Sequence, residues 1–116
     1  NLQDVPAARD EEGITQKIFR GLDLMVGFTT IESDQKAAPH AHPWEQVNML
    51  VDGELDFYVG GEIISLEAFD ILEIPPGIEH TARSISNEPA VLLAFWPLRE
   101  DRLVDTDYQR EFPSNE

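Results

Sequence analysis

Apolar residues come along this chain in short runs, each closed by glycine, proline or a polar turn, and that spacing predicts β-strands. Residues 14–20 and 22–31 are rich in apolar and β-branched side chains, with Gly21 between them. Residues 46–51 and 54–59 flank Asp52-Gly53, which predicts a two-residue hairpin turn. The second of these runs alternates, with Leu55, Phe57 and Val59 on one face and Glu54, Asp56 and Tyr58 on the other. Gly60-Gly61 turns the chain into 62–66, and a strand over 70–74 ends at Pro75-Pro76-Gly77. Residues 81–85 and 90–96 lie on either side of the turn-rich Ser86-Asn87-Glu88-Pro89. About eight strands with tight turns and no helical period before residue 98 predict an all-β sandwich or barrel.

Beyond residue 98 the pattern weakens. Val104, Tyr108 and Phe112 fall at four-residue spacing, so 98–112 reads equally as a short helix or as an extended arm. The first dozen residues are expected to fray unless an oligomer partner orders them. The division that follows is an N-terminal arm over 1–13, a β-barrel domain over 14–101 and a tail over 102–116.

Composition narrows the classes. A length of 116 residues suits one domain with a single core. There is no cysteine, which removes disulfides and thiolate metal sites. The longest apolar run, 91–96, is too short to cross a bilayer. No charged, apolar signal segment opens the chain, and cytoplasm is the expected location. The sequence begins at Asn1 rather than Met, so an earlier leader stays open. Eight basic residues against 23 acidic ones give a net charge of −15, which repels phosphate backbones and anionic lipid. Neither nucleic acid nor membrane is an expected partner. An anionic ligand would need a local positive centre, such as a divalent metal with an arginine.

The three histidines supply the chemistry. His40 and His42 sit two apart in Pro39-His40-Ala41-His42-Pro43-Trp44-Glu45-Gln46, and His80 closes Pro75-Pro76-Gly77-Ile78-Glu79-His80. Imidazoles two apart on a strand share a face, and neutral imidazole is the commonest metal-binding side chain. The same parity puts Gln46 with the histidines and turns Glu45 away. Gln46 is therefore favoured as a fourth ligand through its amide oxygen, with a supporting hydrogen-bond role as the alternative. Three His and one Gln form a neutral set, which leaves a divalent ion its full charge as a Lewis acid. Zinc, nickel, iron and manganese all suit these donors.

The series His40-x-His42-x3-Gln46, then Gly53, then Pro75-x-Gly77-x2-His80, resembles the two signature motifs of the cupin superfamily. The resemblance spans roughly residues 14–101 and implies a double-stranded β-helix, a jelly-roll barrel carrying one metal. Two positions depart from the pattern. Phe69 stands where the second motif usually opens with Gly, and Ser84 where it usually has Asn.

A narrower likeness is to the pectin-degradation KdgF family. It rests on Ala38-Pro39-His40-Ala41-His42-Pro43 with Gln46, on Gly60-Gly61-Glu62, and on Phe95-x-Pro97-x-Arg99-Glu100-Asp101. The likeness implies ring opening or isomerisation of 4,5-unsaturated uronates, with the metal holding a small anionic sugar acid. It assigns the family's Phe and Arg to Phe95 and Arg99. The family's Asp falls on Leu93, which cannot move a proton. Leu93 and Phe95 share a face of the last strand, and the resemblance makes that face the inner one, with Trp96 opposite and available to a subunit interface. Arg99 is read as a carboxylate clamp, a surface ion-pair cluster with its charged neighbours being the alternative. Two rival functions stay in view: metal-dependent oxygenase or decarboxylase chemistry, and non-catalytic binding of a small anion. A homodimer is expected, because short jelly rolls have sheet edges to cover.

Overall fold

The computed structural model describes residues 1–11, 13–33 and 39–98. A 3-10 turn over Leu2–Asp4 precedes nine strands: β1 Ala7–Glu11, β2 Ile14–Arg20, β3 Leu24–Ile31, β4 Gln46–Asp52, β5 Leu55–Val59, β6 Glu62–Leu66, β7 Ile71–Ile74, β8 His80–Ser84 and β9 Ala90–Pro97. Each of the strand runs read from the sequence has its counterpart. The additional strand, β1, lies within the expected N-terminal arm and pairs antiparallel with β2, so that part of the arm extends the sheet. Its sequence, Ala-Ala-Arg-Asp-Glu, has no apolar alternation by which to read it.

The strands form two antiparallel sheets. Six run in the order β1-β2-β3-β9-β4-β7 and three in the order β6-β5-β8. This is the jelly-roll arrangement of a double-stranded β-helix. No helix among the described residues is long and apolar enough to cross a membrane. The expected helix or arm over 98–112 lies outside the described residues from residue 99 onward.

One turn differs in kind from its expectation. Asp52-Gly53 does not close a hairpin: β4 pairs with β7 and β9, whereas β5 pairs with β6 and β8. The turn carries the chain from one sheet to the other. Gly53 has a φ of +88°, and a Cβ there would stand 2.7 Å from the Pro89 carbonyl oxygen. Asp-Gly thus meets a backbone requirement at a sheet corner, which local sequence does not distinguish from a hairpin. Gly60-Gly61 does join a paired hairpin, β5 to β6.

The inner face of the six-stranded sheet carries two clusters, of which the larger joins it to the smaller sheet. Leu50, Leu55, Leu66 and Ile74 belong to the larger, with Phe57 2 % exposed among them. Ile18, Met25, Ala94 and Trp96 form the smaller. Burying each large side chain fully contributes about 1.5–3 kcal/mol. Gly27, on β3, leaves the slot into which the Trp96 ring fits, since a Cβ there would lie 2.4 Å from Trp96 Cη2. Between the clusters the interior stays hollow.

Candidate metal centre

Backbone pairing brings the histidines together across sequence. His40 and His80 face each other in an isolated antiparallel bridge, with His40 N–H donating to His80 O at 3.0 Å and the reverse bond at 2.9 Å. Gly77 N–H donates to His42 O at 2.8 Å and extends that alignment. Gly77 takes a φ of +80°, which glycine adopts without steric cost, so the Pro-Pro-Gly turn delivers His80 to the head of β8. Ring centroids lie 4.3 Å apart for His40 and His80, 4.9 Å for His42 and His80, and 5.7 Å for His40 and His42. Their ligand atoms all fall within 4.8 Å of one another, the arrangement a divalent metal needs.

The hydrogen bonds leave the right nitrogens available. His80 Nδ1–H donates to Ile78 O at 2.9 Å, and its Nε2 is buried with no protein partner. His42 Nδ1–H donates to Trp44 O at 3.0 Å, and the Trp44 ring stacks on the imidazole at 4.8 Å. Its Nε2 then carries a lone pair and stands 3.0 Å from Gln46 Oε1, another acceptor. Two lone pairs so placed repel unless a cation or proton lies between them. Two donors each about 2.1 Å from one ion, at right angles, stand about 3.0 Å apart. The residues therefore fit a metal. Burial holds the His80 pKa below its ordinary value, and the nearby imidazoles of His40 and His42 add to this against the Ile78 carbonyl. The neutral form that results is the ligating one.

Gln46 lies where strand parity puts it. Its amide N–H donates to Asn48 Oδ1 at 2.7 Å, and Asn48, wholly buried, donates to Leu72 O at 3.4 Å. This relay fixes the Gln46 amide so that the oxygen faces the histidines, the orienting role that outer groups play at metal sites. Glu45 is exposed beside Glu73, whose hydrogen bond and charge raise its pKa. Glu79 and Arg83 are also exposed.

The site opens on a cavity of about 410 Å³ lined by His40, His42, Gln46 and His80 together with the inner faces of both sheets. Here the last strand reverses its expectation. Leu92, Ala94 and Trp96 line the cavity or its wall, whereas Phe95 is 37 % exposed on the opposite face with Leu93. The register leaves no doubt of the direction, because Ala94 pairs with Gly27 and Asn48, both on inner faces. Phe95 does not reach the cavity, and neither does Leu93 at the family's Asp position. Trp96 is the aromatic of β9 that does. Arg99 lies outside the described residues.

Sequence reading also passed over Gln16 and Thr29, which line the cavity and join through Gln16 Nε2–H to Thr29 Oγ1 at 3.1 Å. Their signal was a polar residue at an inward position, Gln16 between Ile14 and Ile18. Asn48, between Gln46 and Leu50, gave the same signal.

Fold and site together define a small jelly-roll protein with three converging histidines placed so that they could hold a metal ion. The cupin domain matches residues 27–96, more than half of the sequence, and the chain belongs to the cupin family. Among solved structures it is similar to an RmlC-like cupin from Shewanella frigidimarina, with 25 % identity over 85 % of this chain and 89 % of that one, at a TM-score of 0.76. It is also similar to KdgF from a Halomonas species, at 28 % identity, 82 % and 89 % coverage and a TM-score of 0.73. The polyketide cyclase RemF from Streptomyces resistomycificus shares the fold, at 18 % identity, 88 % and 87 % coverage and a TM-score of 0.72. No curated protein matches the chain significantly.

Proposed function

We propose that this cupin holds a divalent metal through His40, His42, His80 and the Gln46 amide oxygen, and acts on a small anionic sugar acid by ring opening or isomerisation, as the KdgF likeness suggests. The observation that carries the reading is the convergence of three imidazoles on one wall of the 410 Å³ cavity. Similarity to the Halomonas KdgF supports the substrate class. When bound, the ion supplies Lewis acidity towards the ligand's oxygens. The chain's own groups then orient the ligand. Trp96 and Phe57 offer flat apolar surface to a sugar ring, and the Gln16–Thr29 pair offers polar atoms to hydroxyl groups. Arg99 keeps the role of carboxylate clamp that the likeness gives it. Oxygenase chemistry would need a metal that changes valence, which the neutral ligand set neither requires nor forbids.

One observation favours a second reading, non-catalytic capture of a small anion. Among the described residues lining the cavity, no side chain other than the histidines is ionisable. The inner face of β9 thus offers no proton carrier, in either residue parity. Metal-loaded protein mixed with 4,5-unsaturated monouronate separates the two. Loss of the conjugated absorbance at a rate proportional to enzyme supports ring opening. Tight binding of the uronate without loss of absorbance supports capture, and neither binding nor turnover removes the sugar-acid reading altogether.

A further inference from the structure

Strand pairing holds the backbone of three of the four proposed donors: His80 heads β8, His40 bridges to it, and Gln46 opens β4. His42 is the exception. It lies in the stretch 41–45, outside any strand, where the bond from Gly77 N–H to its carbonyl fixes its backbone and not its ring. The torsion that turns a histidine ring is broad, with no sharp staggered wells to hold it. A metal bond to Nε2 lies in the imidazole plane, so a ring that turns carries its lone pair off the ion. His80 meets the same need by burial, at 3 % exposure. At His42 the need falls on Trp44. Its carbonyl accepts from His42 Nδ1–H at 3.0 Å, and its indole lies on the imidazole face with 4.8 Å between centroids and 7° between planes. The indole packs in turn against the cluster of Ile18, Met25, Ala94 and Trp96.

We propose that Trp44 is a positioning residue of the metal centre: its indole fixes the plane of the His42 ring and ties that ring to the wall formed by β2, β3 and β9. The inference rests on the metal set proposed above. Three features carry it. The near-parallel planes at 4.8 Å are those of an offset aromatic stack, a directional contact rather than simple burial. The carbonyl and the indole also act at right angles to each other. The hydrogen bond, in the ring plane, selects the tautomer that leaves a lone pair on Nε2, and the stack, on the ring face, opposes rotation. Lastly, an indole on the ring face leaves the ring edge clear, so the clamp blocks no position on an ion bound to Nε2. His42 is then ordered before the metal arrives, which lowers the entropy lost on binding. An indole that only covered the apolar cluster would act on all four donors alike and would have no special dependence on His42.

Calorimetric titration of the metal-stripped chain with zinc tests this independently of any reaction. Trp44→Leu keeps the carbonyl and much of the apolar bulk but removes the flat face, and should weaken zinc binding about tenfold. Trp44→Phe restores a ring that can stack, and should return affinity to within about threefold of the wild type. Trp44 is half-buried, so both metal-free variants should still melt cooperatively. The deciding arm is a double-mutant cycle. In a His42→Ala background, which keeps the other three donors, Trp44→Leu should cost less than about twofold, because the ring through which Trp44 acts is gone. Zinc binding by Trp44→Leu equal to that of a zinc-binding wild type overturns the inference and leaves the metal set standing. So does an undiminished loss in the His42→Ala background, which would make Trp44 a general support of the wall. A wild type that binds no zinc overturns the metal set and the inference with it.

Discussion

Strand β9 presents two apolar faces with different work to do. Leu92, Ala94 and Trp96 look inward to the cavity, and Leu93 and Phe95 look out from the sheet. Alternation separates them spatially but not chemically, since Ala-Val-Leu-Leu-Ala-Phe-Trp is apolar at every position. What distinguishes the faces is their neighbours: Gly27 and Asn48 inside, Val26 and Val47 outside. A strand that is apolar on both sides in an antiparallel sandwich leaves an apolar patch on the outer face of its sheet.

Truncation on each face makes the contrast measurable. Trp96→Ala removes a ring that fills the Gly27 slot, and should cost about 3–5 kcal/mol of unfolding free energy in a urea titration. Phe95→Ala should cost less than Trp96→Ala, because Phe95 is 37 % exposed and Trp96 only 7 %. Equal costs would mean that the faces have been assigned wrongly.

A smaller effect belongs to the support behind the site. Asn48→Leu removes the acceptor that fixes the Gln46 amide, and should lower metal affinity about tenfold by calorimetric titration. Unchanged affinity would leave Gln46 without a part in binding.

The same contrast explains what could be read from residues alone. Period-two alternation located β5, and turn residues bounded the other strands, so the class of fold was legible. The His-x-His spacing and the parity of Gln46 were legible too, because only one of their faces could matter. The inward side of β9 was not, since both faces carry the same kind of residue. Nor was the sheet change at Asp52-Gly53, which depends on the distant Pro89 and Ala90. Gln16 and Thr29 were visible as polar residues at inward positions, but only once the sheet had shown which positions those were.

pH gives a finer probe of the inner wall in metal-free protein. Burial holds His80 below its ordinary pKa, about 6.5. Well above that pH the ring is neutral in both folded and unfolded chains and contributes no pH dependence. Below it the unfolded chain takes up a proton that the folded chain resists, so stability falls as pH drops from about 6.5 through the depressed folded value. The urea midpoint should decrease over that interval, and His80→Gln should remove part of the decrease. A midpoint that rose would reverse the sign of the shift.

The smallest expected change lies at Phe69, which sits at a φ of +75° and is 74 % exposed. An L-residue there is strained by about 1–2 kcal/mol, and Gly at the same place gives back part of the gain in chain entropy. Phe69→Gly should therefore stabilise the protein by up to about 1 kcal/mol in the same titration, and a loss of stability would show that the ring makes contacts of value.

The central claim is that His80, far along the chain from the other two histidines, completes a single cation site with them. Isothermal titration of metal-stripped protein with zinc decides it. The account predicts one ion per chain for the wild type and more than about a 100-fold loss of affinity for a folded His80→Ala variant. Undiminished binding in that variant would contradict it.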